Sequence, residues 1–448
     1  MYEHKANFQE SKEPVKSRIN IIEIERIYQI ERIYQSPGWI VAIAFFIRLI
    51  VALTLIEDQF SPARDHFSFG WETGRIARSV AMGEGFSSPL HGPTGPTAWM
   101  TPVYVYLLAA VFKAFGVYTL KSAVVILSLN SAFSALTCLT VFLIAYKSFG
   151  RKIAIRAAWV WALFPYAINF AACRVWGDSL FTLLFSLLFL VAMRLEDTSN
   201  IKAWLGFGLL AGLTALACQP ALPVTLLLIA RICYRFRQRG KPWAWQSGLA
   251  MLMILAVVSP WFARNYQTFD RFIPFRSTFW LVMYASNTGD LSDTVPDWTH
   301  PATSKTEMEE YRRLGELNYM ESKRRQTLKY ISTYPDAFIS LTARRVICIW
   351  IGFWSLQLFL SDLKLALHVA LTTPLTIFML IGLFKAWRYD KTVAMPYLLS
   401  ILTFPMVYYI THPHAEYRHP IDTLIVTLAV YGASELFARS RGKEMRTE

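Results

Sequence analysis

Apolar runs of about twenty residues dominate the chain from residue 38 onward, each closed by a short polar or basic stretch. A run of that length can cross the hydrocarbon core of a bilayer as a helix. Ten runs fit that description: 38–57, 121–146, 153–172, 177–195, 202–218, 221–234, 244–264, 363–386, 393–411 and 419–438. The run 221–234 is short, which makes the hairpin 202–234 the weakest part of the set. Two further runs, 102–115 and 346–360, are apolar but also short for a span. The first 36 residues are charged and mixed, with a tandem IERIYQ at 24–35 whose Ile and Tyr recur at helical spacing. They read as a cytoplasmic amphipathic lead-in and lack the small-residue cleavage site of a secretory signal.

Basic clusters decide the orientation, because Lys and Arg accumulate in cytoplasmic loops. One cluster holds Lys147, Arg151, Lys152 and Arg156; a second holds Arg231, Arg235, Arg237, Arg239 and Lys241; a third holds Lys385, Arg388 and Lys391; the tail 439–448 is the fourth. All four share a side with the N-terminal segment only if neither 102–115 nor 346–360 spans. Both are therefore expected as helices along the outer face. This makes residues 37–438 one transmembrane domain of about ten spans, with external stretches at 57–120 and 265–345. Within them, in-plane helices are expected at 71–81 and 102–115, and a charged amphipathic helix from Thr306 to Tyr334. The fold class is an all-α polytopic membrane protein.

Composition agrees, with 54% hydrophobic and only 17% charged residues over 448 positions, too apolar for an ordinary soluble enzyme. The net charge of +14 falls in short clusters between apolar runs, a distribution that fits membrane loops and argues against nucleic acid as a partner. Cys138, Cys173, Cys218, Cys233 and Cys348 stand singly in or beside apolar runs and read as small buried residues. No metal-ligand spacing and no phosphate-cradling glycine loop is evident, so neither a metal nor another cofactor is expected.

The polar residues that could carry chemistry lie at the outer ends of the spans. Asp65 and Glu72 follow the first span, where a partly shielded carboxylate can act as a general base. The plainer alternatives are that Asp65 caps a turn and that Glu72 pairs with Arg75 or Arg78 one helical turn on. Arg174 and Asp178 lie in CRVWGDS, Arg264 in SPWFARNY and Arg276 in FRSTFW. His412, His414, Glu416, Arg418 and His419 cluster in THPHAEYRHP. Arginines at that depth suit a lipid phosphate, which the guanidinium fork grips at two oxygens; snorkelling beside headgroups is the alternative.

The strings GWETGRIARSVAMGEGFSSPL and PTAWMTPVYVYLLAAVFKAFG, followed much later by SPWFARNYQTFDRFIPFRSTF and EYRHPID, resemble bacterial GT-C glycosyltransferases related to the protein O-mannosyltransferases and the lipid A aminoarabinose transferase. The resemblance runs from about Trp39 to Ala438. It implies a GT-C bundle with two juxtamembrane helices after the first span, an acidic base in the first external loop, and a sugar on polyprenyl phosphate as donor. In those relatives the acidic residue stands where this chain has Phe69. Asp65 lies four residues before that position and Glu72 three after it; a place in the loop ahead of the helix favours Asp65.

The function so implied is inverting transfer of a hexose or pentose from a polyprenyl-phosphate donor to an acceptor hydroxyl at the outer face of a bacterial inner membrane. Donor contacts are expected from Arg75, Arg174, Asp178, Arg264, Arg276, His414, Glu416, Arg418 and His419, with membrane lipid as the surroundings and the acceptor unassigned. A flippase for a lipid-linked saccharide is the competing reading; it calls for paired repeats and ionisable residues at mid-membrane, whereas Arg48 and His368 are the main charges within spans. Reporters fused after Lys152, after Gly240 and at the C-terminus should be cytoplasmic, and one inserted near Asp293 external. A cytoplasmic signal near Asp293 would overturn the placement of every candidate site residue.

Overall fold

The computed structural model describes residues 34–60, 69–288, 297–352 and 363–444. The lead-in expected over 1–36 therefore lies almost wholly outside the described residues. Proline opens several helices, at the first position, where its missing N–H costs nothing. These include α1 (Pro37–Gln59), followed by α2 (Trp71–Ala81), and α3 (Pro102–Phe115), followed by α4 (Leu120–Phe149). Next come α5 (Arg151–Ala162), α6 (Pro165–Ala172), α7 (Asp178–Leu195), α8 (Ile201–Ala217), α9 (Ala221–Gln238) and α10 (Ala244–Phe269). The second polar stretch folds as α11 (Phe279–Asn287), α12 (Lys305–Leu314), α13 (Glu316–Thr333) and α14 (Pro335–Ile351). The chain ends in α15 (Leu363–Tyr389), α16 (Lys391–Thr403), the short α17 (Met406–Ile410) and α18 (Ala415–Glu444).

Among the described residues, seven helical segments are long and apolar enough to cross a membrane, and α5 with α6 makes an eighth, bent by 47°. The hairpin α8–α9 occupies the remaining two of the ten positions expected from sequence. Helix α8 is apolar but only 17 residues long, and α9 carries Arg231, Arg235 and Arg237 in its second half. The run 102–115 is a 14-residue helix packed on α2, α4 and α8. The helix expected over Thr306–Tyr334 is two helices, because Gly315 adopts a φ of 72° and closes α12 before α13 begins. Large apolar side chains such as Phe46, Ile50, Leu252, Leu380 and Phe384 face outward from spans, as a lipid-facing bundle surface requires.

The bend between α5 and α6 explains the charge inside α1. Pro165 starts α6, so the carbonyls that end α5 lose their usual donors one turn on, although Phe164 N still reaches Trp161 O at 3.2 Å. Arg48, fully buried, supplies them: its guanidinium donates to Ala162 O at 2.9 Å and Trp161 O at 3.2 Å, and also to Ala44 O and Ser134 Oγ. A buried guanidinium is tolerable at that depth when each arm has an acceptor.

The first three basic clusters meet at one end of the bundle; the side chains of the fourth, 439–448, lie outside the described residues. Lys147 pairs with Asp197 at 2.7 Å, and Arg231 and Arg235 converge on Glu196. Arg231 also reaches Thr392 O beside the third cluster, and Arg156 donates to Ser434 Oγ near the C-terminus. Side chains from clusters that are far apart in sequence thus share one face, as the even-crossing argument requires. The C-terminal helix runs on to Glu444, past the 439 boundary expected for a tail.

Helices α15 and α18 approach most closely where Gly382 faces Gly432. A methyl group on Gly382 would collide with the backbone carbonyl of Leu428, and one on Gly432 with that of Phe378. Small residues at such a crossing let two helix backbones touch. Gly206 in α8, by contrast, faces open space. Gly382→Ala should therefore cost roughly 1–3 kcal/mol through forced separation of the helices. Gly206→Ala should be neutral or stabilise by up to about 1 kcal/mol. Thermal melts of the purified protein in detergent separate the two, and equal melting temperatures would refute the contact.

Candidate functional site

The end of the bundle opposite the basic clusters carries a layer built from both long polar stretches, and one buried carboxylate locks the stretches together. Glu316, at the start of α13, accepts from Ala98 N at 2.8 Å and Ser277 Oγ at 2.7 Å, and from the hydroxyls of Thr97 and Tyr311. Burial pushes its carboxyl above the usual range, and the four donors pull the other way. Ser277 N also donates to Ala98 O. Trp261 Nε1 and Asn265 Nδ2, both on α10, hold the carbonyls of Phe275 and Ile273. Segment 273–278 is thus fixed from three directions, and Arg276 is on it.

Arg276 stands between two adjoining cavities. One, of about 400 Å³, is mainly apolar and includes Pro220, Pro223, Phe275, Phe279, Val407 and Tyr408 in its lining. The other, of about 240 Å³, is more polar and is lined by Trp71, Glu72, Trp99, Leu281, His300 and Thr303, among others. Arg276, Thr278, Val282, His412 and Tyr417 line both and form the neck. Nε of Arg276 donates to Thr278 Oγ1 at 2.7 Å, and the guanidinium forms no ion pair among the described residues. Burial lowers its pKa, and Tyr417 and Glu72 act in the opposite direction. A partly buried guanidinium whose terminal nitrogens have no partner among the described residues is suited to an anion. The neck is completed by Tyr417, whose hydroxyl meets His412 Nε2 at 3.1 Å and whose ring stacks on Tyr408 at 4.7 Å. Burial, chiefly, lowers the pKa of His412 to about 4, so its imidazole is neutral at pH 7.

Glu72 projects into the polar cavity from the first turn of α2. Gly70 and Trp71 both take left-handed backbone angles, φ 88° and 45°, to turn the chain into that helix. For a tryptophan this conformation is strained, and strain of this kind gathers at functional sites. His300 Nε2 stands 3.3 Å from Glu72 Oε1.

The candidates named from sequence separate into three groups. Glu72 and Arg276 line the cavities, and Arg75, on α2, contacts His91 at 3.1 Å and acts electrostatically on His300. Arg174, Glu416, His414 and Asp178 form a second group beside the neck: Arg174 pairs with Glu416 at 2.7 Å, and His414 lies 3.3 Å from the same carboxylate. Asp178 is buried, and its Oδ2 lacks a hydrogen-bond partner among the described residues. The third group is committed elsewhere. Arg264 donates to Thr97 O, Phe86 O and Asn265 Oδ1, and so braces the first external loop. Arg418 is buried against Asp422 at 2.8 Å and Ile349 O at 3.0 Å. His419 is fully buried between Trp161 and Phe170. All three were expected at a lipid phosphate; helical spacing turns Arg418 and His419 into the bundle, and loop carbonyls occupy Arg264. Asp65 lies outside the described residues.

Sequence reasoning passed over His300, Trp99, Thr278, Tyr417 and Glu316. Glu316 looked like one more charge on a solvated helix, and His300 followed a stretch of turn formers with no pattern to mark it. Among the described residues no group of three or more His, Cys, Asp or Glu could hold a metal ion.

The family model described as dolichyl-phosphate-mannose-protein mannosyltransferase matches residues 97–263. No curated protein is similar enough in sequence to match the chain. Among solved structures, the oligosaccharyltransferase of Archaeoglobus fulgidus in the apo form superposes with a TM-score of 0.55 at 14% identity, over 91% of this chain and 52% of that one. AglB of the same organism, in complex with an inhibitory peptide and a dolichol-phosphate, gives 0.54 at 13% identity, over 92% and 52%. ArnT from Cupriavidus metallidurans bound to undecaprenyl phosphate aligns over 92% of this chain and 80% of its own at 13% identity, with a TM-score of 0.38 that is too low to argue from. The chain spans about half the length of the oligosaccharyltransferase structures, and at these identities the likeness is one of fold. The chain is a multi-pass membrane protein with the GT-C glycosyltransferase fold, and over residues 97–263 it matches the dolichyl-phosphate-mannose-protein mannosyltransferase family.

Proposed function

We propose that the protein is an inverting glycosyltransferase that moves a sugar from a polyprenyl-phosphate donor to an acceptor hydroxyl. The observation that carries this reading is the position of Arg276, without an ion-pair partner among the described residues, at the neck between an apolar and a polar cavity. A polyprenyl-phosphate sugar has the same order of parts: an apolar chain, an anion and a polar ring. The chain would enter the larger cavity, the phosphate would meet Arg276, and the sugar would lie among Trp71, Trp99 and His300. That AglB was solved with a dolichol-phosphate supports a lipid phosphate as the ligand class for this fold. The cavities open at the end away from the basic clusters, which supports work at the outer face of a bacterial inner membrane.

In the proposed reaction Glu72 takes the proton of the acceptor hydroxyl. The acceptor oxygen attacks C1 of the sugar from the side opposite the phosphate, the bond from C1 to the phosphate oxygen breaks, and the lipid phosphate leaves with the electron pair. Arg276 balances the charge that grows on the leaving group. Asp65 stays the alternative base. The flippase reading gains no support from the partnered charges inside the bundle: Arg48 is bonded to carbonyls and Arg418 to Asp422.

Membranes from a strain deleted for the gene retain both unconsumed donor and unmodified acceptor, so release of free polyprenyl phosphate after adding purified protein measures transfer. Arg276→Ala should weaken polyprenyl phosphate binding by about 1.5–3 kcal/mol, roughly 10- to 100-fold in Kd. Lys at the same position should recover only part of this, since the fork is lost. Glu72→Gln should leave binding intact and slow release by roughly 10²- to 10⁴-fold. If Glu72→Gln keeps full activity and Asp65→Asn loses it, the base is Asp65. If wild-type protein moves the lipid-linked sugar across liposomes without releasing polyprenyl phosphate, transfer is refuted.

A further inference from the structure

We infer that His300 is the positioning residue of Glu72, an inference that rests on the reading of Glu72 as the base. The backbone N–H of Ala302 donates to His300 Nδ1 at 3.1 Å. That bond occupies the lone pair of Nδ1 and leaves the ring proton on Nε2. Nε2 is the atom 3.3 Å from Glu72 Oε1, so a small rotation of the ring turns this contact into a hydrogen bond. Two tryptophans limit how the ring can move: Trp99 meets it edge-on with centroids 5.8 Å apart, and Trp71 lies at 6.0 Å. Glu72 Oε2 has no hydrogen bond among the described residues. The arrangement fits a carboxylate steadied at one oxygen and free at the other to face an acceptor hydroxyl.

Burial, against the pull of the neighbouring carboxylates, favours a neutral imidazole in this role. Burial lowers the pKa of His300, Glu72 and Glu307 on α12 act to raise it, and Arg75 on α2 acts to lower it. Arg276 is the cation on the Glu72 side of the cavity, and His412 and Tyr417 close its wall. A neutral donor steadies Glu72 without drawing off its basicity as a full imidazolium charge would. His300 thus orients the base and touches no reacting atom in the proposed step.

The release assay described above, run from pH 5 to pH 9 on His300→Ala, His300→Gln and Glu72→Gln, tests this. A misplaced base costs roughly 10- to 100-fold, so His300→Ala should lose that much in kcat while the Kd for polyprenyl phosphate stays within about twofold. Removing a donor from the carboxylate destabilises its charged form. A base works deprotonated, so the acid limb of the rate profile should move to higher pH in His300→Ala. The Gln side chain can place an N–H near the position of Nε2, so His300→Gln should recover most of the rate and the wild-type limb. A His300→Ala enzyme with unchanged kcat and acid limb overturns the inference, as does one whose loss in kcat comes with the limb unmoved and without rescue by Gln. A fully active Glu72→Gln enzyme overturns the underlying assignment of the base instead, and the positioning role with it.

Discussion

A charge inside a membrane bundle is stable only when partners surround it, and that constraint sorts the charged residues of this protein. Arg48 caps the carbonyls freed where α5 gives way to α6. Arg418 is bonded to Asp422, and Glu196 gathers Arg231 and Arg235. With those charges satisfied within the fold, the guanidinium of Arg276 stands apart, at a neck between cavities with one side-chain bond to Thr278. Even partial burial without a carboxylate partner among the described residues is costly to maintain, and a recurring anionic ligand would offset that cost.

The layer built from the two long polar stretches holds that neck in place. Segment 273–278 has no regular structure of its own, so its geometry comes from neighbours: Trp261 and Asn265 on α10, the 97–99 loop, and Glu316 on α13. Arg264 extends the same bracing to the Phe86 region of the first loop. A buried carboxylate with four donors is a rigid joint, and Glu316 links the two long polar stretches at one point. The joint therefore ties the segment that carries Arg276 to the 97–98 loop.

Much of the fold could be read in the sequence because hydrophobic run length and basic clusters are local signals. Counting charges denied a span to 102–115, and the structure has there a 14-residue helix packed on α2. The break at Gly315 escaped notice because a lone glycine in a charged amphipathic pattern is compatible with one helix or two. The site was less legible. Residue type marks an arginine as a phosphate ligand equally well whether its terminal nitrogens lack a partner among the described residues, as in Arg276, or are filled by carbonyls, as in Arg264. His300 and Glu72 meet only through the tertiary fold, so no spacing along the chain could pair them.

Photo-crosslinking of the wild-type protein in nanodiscs with a polyprenyl phosphate that carries a diazirine on the isoprene next to the phosphate tests the central claim most directly. Peptide mapping should place the label on the walls of the larger cavity, at Phe275, Phe279 or Val407, and excess unlabelled polyprenyl phosphate should compete it away. Label confined to outward-facing side chains such as Phe46, Ile50 and Phe384, and insensitive to the competitor, would contradict it.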